Sequence, residues 1–270
     1  MFSPSNSNIY PIVFVHGLWL HAESWNNWLN FVRGEGYDSI AASWPGDAET
    51  TEATRRNAGA VAGYGVLEIA DHIAGQLGRF KKKPIVIGHS LGGLIVQNLL
   101  GRDLVTAAVA IDPAPIKGVL ELPFSALKSA LPVLRNPFNI NRAVSLSEKQ
   151  FRFAFANTVS EREAKELFSK YAMPAPARPL FQAASATFNP GSATKVNVSN
   201  ATRGPLLLVS GEMDNTVPPV LVRSAFRLYR ESKANTELKV FVGRGHSLTI
   251  DSGWRELAEY ILSWINTKGL

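Results

Sequence analysis

The chain contains no cysteine, which excludes disulfides and thiolate chemistry and leaves the redox compartment unreadable from this residue type. Its N-terminal stretch, MFSPSNSNIYPIVFVHG, has no basic region followed by an apolar region and a small-residue cleavage site, so no signal peptide is expected. The longest apolar runs fall far short of a membrane span, and neither an internal repeat nor a low-complexity tract interrupts the sequence. Charged residues are sparse, 19% against 46% apolar, the balance of an ordinary globular protein. Acidic residues are outnumbered, giving a formal charge of +6. The excess is scattered except for Arg79, Lys81, Lys82 and Lys83, which fall at the end of a predicted helix, where cations suit the helix dipole. We therefore expect no nucleic-acid partner, no membrane partner and a cytoplasmic location. The 270 residues suffice for one large domain, or for a core domain carrying an insertion.

What is present is an alternation. Short apolar, β-rich runs at Ile9–Val15, Ser39–Trp44, Ile85–Gly88, Thr106–Ile111, Pro205–Ser210 and Leu238–Val242 suit strands buried on both faces of a parallel sheet. Between them, apolar residues recur at helical spacing in Ser24–Val32, Val66–Phe80, Leu91–Leu100, Val217–Tyr229 and Trp254–Ile265. Asp47–Gly63 is polar and small and reads as a loop. Strand and helix alternating through short links predict an α/β fold with a doubly wound parallel sheet. The rhythm breaks over Ala114–Arg203, about ninety residues rich in Pro, Phe and Ala with helical stretches near Phe124–Leu134, Glu148–Asn157 and Glu161–Tyr171 and no convincing strand. That block is too long for a bare loop in a compact domain and is expected to be an all-helical cap outside the sheet. The expected division is residues 1–113 and 204–270 for the core and 114–203 for the cap.

The join at Gly88-His89-Ser90-Leu91-Gly92-Gly93 sets polar and flexible residues between a buried strand and a buried helix. A turn that sharp forces Ser90 toward a strained backbone conformation, and side chains at positions 88 and 92 would collide with the neighbouring elements. The result lifts the Ser90 hydroxyl clear at the carboxyl edge of the sheet, where open α/β sheets place ligands. The Leu91 N–H at the helix start is then free to receive an oxyanion. A G-x-S-x-G run between strand and helix is a nucleophile elbow.

A serine hydroxyl needs a base. Of five histidines, His72 lies within a predicted helix, His89 cannot turn back onto its neighbour's hydroxyl, and His16 and His21 lie on the loop after the first strand. His246, in VFVGRGHSLTID, follows the last strand and completes the order nucleophile, acid, histidine. The acid that holds the base in its tautomer is read as Asp214, in LLLVSGEMDNTVPP, on the loop after the penultimate strand. Asp112 also ends a strand at that edge and is read as a turn cap before Pro113; Glu212 is a weaker third candidate. The second oxyanion N–H is assigned to Leu18, on the loop after the first strand, while His16 is read as ordering that loop.

With these residues in place the chain resembles the α/β-hydrolase superfamily, on FVHGLW, WPGDAE, GHSLGG, SGEMDNTVP and GRGHS. The HGLWLHAESWNNW pattern is similar to a compact esterase branch that includes plant methylesterases and hydroxynitrile lyases. The resemblance implies a six-stranded parallel core of order 2-1-3-4-5-6 and serine-ester chemistry without a cofactor or metal, on a small-molecule ester. Hydroxynitrile lyases of this branch carry a Lys directly after the catalytic His; Ser247 stands there, which argues against cyanohydrin cleavage. Cofactor-free perhydrolase, haloperoxidase and lactonase activities share the triad, and a non-catalytic ligand-binding protein on the same fold is the reading of a different class. Apolar cap residues are expected to line the pocket, with Trp19, Phe124, Phe138 and Phe155 as its substrate-binding wall.

Overall fold

The computed structural model describes residues 10–270. The start of the first expected strand at Ile9, and the leader reading of the N-terminus, lie outside the described residues. The chain runs β1 (Ile12–Val15), α1 (Asn26–Gly34), β2 (Ser39–Ala42), α2 (Thr51–Arg56), α3 (Val66–Leu77), β3 (Ile85–His89), α4 (Leu91–Gly101) and β4 (Ala107–Ile111). It leaves the sheet for α5 (Phe124–Leu134), β5 (Ala143–Val144), α6 (Glu148–Ala154), α7 (Glu161–Tyr171), β6 (Ala175–Pro176) and α8 (Arg178–Ala184). It returns with β7 (Leu206–Gly211), α9 (Pro219–Leu228), β8 (Thr236–Phe241) and α10 (Trp254–Thr267).

The main sheet has six strands in the order β2-β1-β3-β4-β7-β8, and every pairing in it is parallel. This is the doubly wound sheet expected from the alternation. Because side chains alternate across a strand, each strand feeds two apolar layers. Val13, Val15, Val86, Ala108, Ala110, Leu206 and Leu208 share one layer with Ile69 and Ile73 of α3, Leu94 and Leu99 of α4, and Leu221 and Val222 of α9. Ile12, Phe14, Ile85, Ile87, Val109, Leu207 and Val209 share the other with Trp28 and Val32 of α1 and Leu257, Ile261 and Ile265 of α10. Burial on both faces explains why these strands read as unbroken apolar runs.

Two sequence expectations need correction. The segment between β4 and β7 is not all-helical: β5 and β6 pair antiparallel as a two-residue ribbon, Ala143 with Pro176 and Val144 with Ala175. Nor is the stretch after β2 a bare loop. The Thr50 hydroxyl accepts the Ala53 N–H at the start of α2, Glu52 lies in its first turn, and Arg55 and Arg56 lie in its last. A cap and a favourable charge order fix a short helix there without an apolar stripe. Among the described residues no helix is long and apolar enough to cross a membrane.

Candidate active site

Backbone strain marks the carboxyl edge of the sheet. Among the described residues four non-glycine positions have positive φ, and three of them, Trp19 (63°), Ser90 (57°) and Asp112 (42°), follow β1, β3 and β4. Such strain persists only where surrounding contacts enforce it. For Ser90 the enforcing contacts are steric. A Cβ at Gly92 would overlap the Val15 carbonyl, and one at Gly17 would stand 2.7 Å from Ser90 Cβ. Strand, loop and helix can converge on the serine only with glycine at both places. Ser90 ends as the N-cap of α4 with its side chain uncommitted to capping.

His246 is fully buried on the loop after β8, and its Nδ1–H donates to Asp214 Oδ2 at 2.6 Å. The other Asp214 oxygen, Oδ1, accepts the N–H groups of Thr216 (2.7 Å) and Val217 (2.8 Å). One oxygen thus holds the loop ahead of α9 and the other holds the imidazole. The acid loop is in turn tied to α6 and its C-terminal flank: Thr216 Oγ1 donates to Ala154 O, Asn215 Nδ2 to Phe153 O, and Asn157 Nδ2 to Met213 O. On the histidine loop, the Ser247 N–H donates to Phe155 O, Ser247 Oγ donates to Asp251 Oδ2, and Arg244 pairs with Asp251 at 2.6 Å. Sequence reasoning missed this brace; its signal was the Arg-x-x-Ser-x-x-x-Asp spacing within one loop.

The Nε2 of His246 is buried and has no hydrogen-bond partner, and no hydrogen bond joins it to the Ser90 hydroxyl. Catalytic hydrogen bonds in unliganded sites are often long and tighten only with substrate. The ring is fixed from three sides, by Asp214, by the Phe155 ring edge-on at 4.8 Å and by the His89 ring at 4.5 Å. Burial first, and then the His246 charge, hold the His89 imidazole well below its ordinary value, so it sits there as a neutral ring.

Asp112 is more than a turn cap. Its Oδ1 accepts the Gly211 N–H at 2.7 Å, while Oδ2 lies 3.9 Å from His246 Nδ1 and has no hydrogen-bond partner. Burial, followed by the charge of Asp214, pushes its carboxyl well above the usual carboxylate range. The imidazole therefore faces two carboxyls, one hydrogen-bonded to it at 2.6 Å and one, 3.9 Å away, whose ionisation burial disfavours. An aspartate directly after a buried strand at the Ser90 edge was the readable sign. Glu212, by contrast, accepts the Gly243 N–H across the turn and is exposed. Ligand atoms of His89, Asp112 and His246 approach within 4.8 Å of one another, but His246 Nδ1 is engaged by Asp214 and burial disfavours the Asp112 carboxylate, a poor donor set for a cation.

Neither the Leu18 nor the Leu91 N–H is taken by a loop carbonyl or a side-chain acceptor. His16 Nε2 donates to Asp47 Oδ2 at 3.1 Å and stacks on Trp44, and Asp47 also accepts the Trp44 N–H. The HGLW loop is thereby pinned to the WPGD turn. His21 is held neutral mainly by burial, its Nδ1 accepting the Glu23 N–H and its Nε2–H donating to Ala48 O.

The four expected wall residues separate. Trp19 is nearly buried, its indole N–H donating to Val144 O and its ring edge-on to Phe155. Phe155 is fully buried against the histidine. Phe124 and Phe138 do not form an enclosed wall: they are 80% and 77% exposed. A hollow of about 560 Å³ between α1 and α10, lined by Phe31, Glu35, Arg255 and Leu262 among others, includes none of these residues. Its volume does not outweigh the buried polar cluster at the sheet edge as the candidate site.

The sequence profile of the "Alpha/beta hydrolase family" matches residues 12–260. Among curated proteins no match is found. Among solved structures, the monoacylglycerol lipase of Paleococcus ferrophilus superposes with a TM-score of 0.64 at 22% identity, over 96% of each chain. An extracellular alpha/beta-hydrolase from a Paenibacillus species gives 0.67 at 19% identity, over 94% of this chain and 98% of that one. The methylesterase MES16 from Arabidopsis gives 0.65 at 19% identity, over 96% and 100%. At these identities the likeness is one of fold.

Proposed function

The chain belongs to the alpha/beta hydrolase family, and from that premise we propose that it is a serine hydrolase cleaving a carboxylic ester of a small or medium, largely apolar substrate through an acyl-enzyme. The observation that carries this reading is the buried imidazole of His246, held by Asp214 at 2.6 Å with its Nε2 unpartnered, at the sheet edge that presents Ser90 in its strained turn. In the proposed cycle His246 Nε2 takes the Ser90 proton as Oγ attacks the ester carbonyl. The Leu18 and Leu91 N–H groups receive the oxyanion. His246, now a cation facing Asp214, returns the proton to the leaving alkoxide, and water repeats the sequence on the acyl-enzyme.

Asp112 is a positioning residue in this scheme. Burial disfavours ionisation of its carboxyl, and it keeps a second oxygen 3.9 Å from Nδ1. The segment over residues 114–203 acts as the cap: it supplies Phe155 behind the base and the Val144 carbonyl that anchors Trp19. An apolar acyl or alcohol group suits that lining.

The test is turnover of p-nitrophenyl acetate and butyrate. The wild type should hydrolyse them, and Ser90→Ala should lose at least about 10³-fold in kcat. Equal turnover by the two proteins, or none by a folded wild type across an ester panel, overturns the reading.

A further inference from the structure

Helix α5 is turned the wrong way round for a surface helix. Phe124, Leu127, Lys128, Leu131 and Arg135, the last at its C-cap, recur at intervals of 3, 4, 7 and 11 positions and so share one face. That face is the outward one: Phe124, Leu127 and Leu131 are exposed, whereas Ser129 and Val133 on the opposite face are buried. The chain on either side continues the pattern, with Leu120 and Leu122 before the helix and Phe138 and Ile140 after it all exposed. Seven large apolar side chains at the surface within 21 positions of sequence, 120 to 140, are far from the single scattered residues that need no explanation.

The charges around this strip have one sign. From position 117 to 142 the sequence carries Lys117, Lys128, Arg135 and Arg142 against Glu121 alone, and Glu121 is consumed by Arg227 at 2.6 Å. Among the described residues Lys128, Arg135 and Arg142 form no ion pair; the Lys128 ammonium rests 4.1 Å from the Phe153 ring centroid. A closed two-fold dimer through this face would set two copies of the same basic strip against one another, whereas a negatively charged apolar interface satisfies both features together.

We propose that the outward face of α5 and its flanks docks the protein onto a membrane bilayer rich in anionic lipid. Leu122, Phe124, Leu127, Leu131 and Phe138 enter the acyl boundary while Lys128, Arg135 and Arg142 meet the headgroups. The absence of a spanning run, on which the expectation of no membrane partner rested, does not bear on a surface of this kind. The face adjoins the candidate site: Ser129 Oγ on the inner side of α5 donates to Asn215 O, next to Asp214. This inference goes beyond the esterase reading and does not depend on it, because binding is read without turnover.

The experiment is co-sedimentation of the full chain with vesicles of phosphatidylcholine alone and with one-third phosphatidylglycerol. The wild type should partition onto the anionic vesicles, less at high salt, and little onto the neutral ones. Leu127→Ser/Leu131→Ser should lower the partition coefficient by about tenfold or more, and Lys128→Glu/Arg135→Glu should abolish the preference for anionic vesicles. These positions are exposed, so far-UV circular dichroism should be unchanged, and each variant checks the other if one misfolds. No binding by the wild type, or binding indifferent to both double variants, overturns the proposal. A wild-type dimer in sedimentation velocity that the Leu127→Ser/Leu131→Ser protein fails to form also overturns it, and assigns the face to a second copy.

Discussion

Asp112 and Asp214 stand against one imidazole, at 3.9 and 2.6 Å from its Nδ1, and each makes a separable prediction. Asp112 has its folded-state value raised by burial, so the folded protein keeps a proton that the unfolded chain releases as pH climbs past about 3.8. Stability from this group is therefore greatest in acid and declines toward the raised folded value. Asp112→Asn keeps an acceptor for the Gly211 N–H and removes that decline, so the Tm difference, variant minus wild type, should grow as pH rises above about 4; a flat difference contradicts it. On activity, replacing the acid of a Ser-His-Asp triad by its amide costs about 10⁴ in kcat. Here Asp214→Asn removes the second-largest cause holding the Asp112 carboxyl up, after burial, so ionisation of Asp112, 3.9 Å from His246 Nδ1, becomes easier. That variant should lose at least about tenfold less than the full factor, with its activity rising with pH, and Asp112→Asn/Asp214→Asn should lose all of it. Ester kinetics of the three variants against wild type decide the matter. The elbow and its Asp214–His246 partners were legible because turn chemistry and chain order fix them. Asp112 was legible as a second acid at that edge, but its approach to the imidazole was not, because an aspartate before proline satisfies a local turn rule whether or not an imidazole lies across the edge.

At the scale of elements, legibility followed burial. Strands buried on both faces and helices with an apolar stripe write their positions into the sequence, while the order β2-β1-β3-β4-β7-β8 is the one the family resemblance implied. Helix α5 matched its expected span, Phe124–Leu134, yet its spacing could not say which face turns inward, so Phe124, expected at the pocket, lies outside. Two-residue strands such as β5 and β6 have no period to read, and α8 is placed by contacts such as Gln182 Oε1 accepting the Val66 N–H. One tight contact between elements is testable by a single methyl. Gly92 at the start of α4 faces the Val15 and His16 carbonyls of the β1 end with no room for a Cβ. Gly92→Ala should cost roughly 1–3 kcal/mol or more by forcing α4 off β1, read by chemical denaturation, with a larger proportional loss of activity as Ser90 shifts. A variant as stable as wild type would mean that the elbow is looser than drawn.

For the whole molecule, the parallel sheet acts as a convergence device. It delivers the residues that follow β1, β3, β4, β7 and β8 to one edge, and the segment between β4 and β7 folds back over that edge, tied to the acid loop by Thr216, Asn215 and Asn157. The proposed function requires side chains as distant in sequence as Ser90 and His246 to act as one unit, and a reagent that reads their joint reactivity tests it. The most direct measurement is peptide mapping by mass spectrometry after treatment with a fluorophosphonate probe. We predict one adduct, on the oxygen of Ser90, formed far more slowly in His246→Ala and absent in Ser90→Ala. An adduct on another residue, or a Ser90 as unreactive in the folded wild type as in His246→Ala, would contradict it.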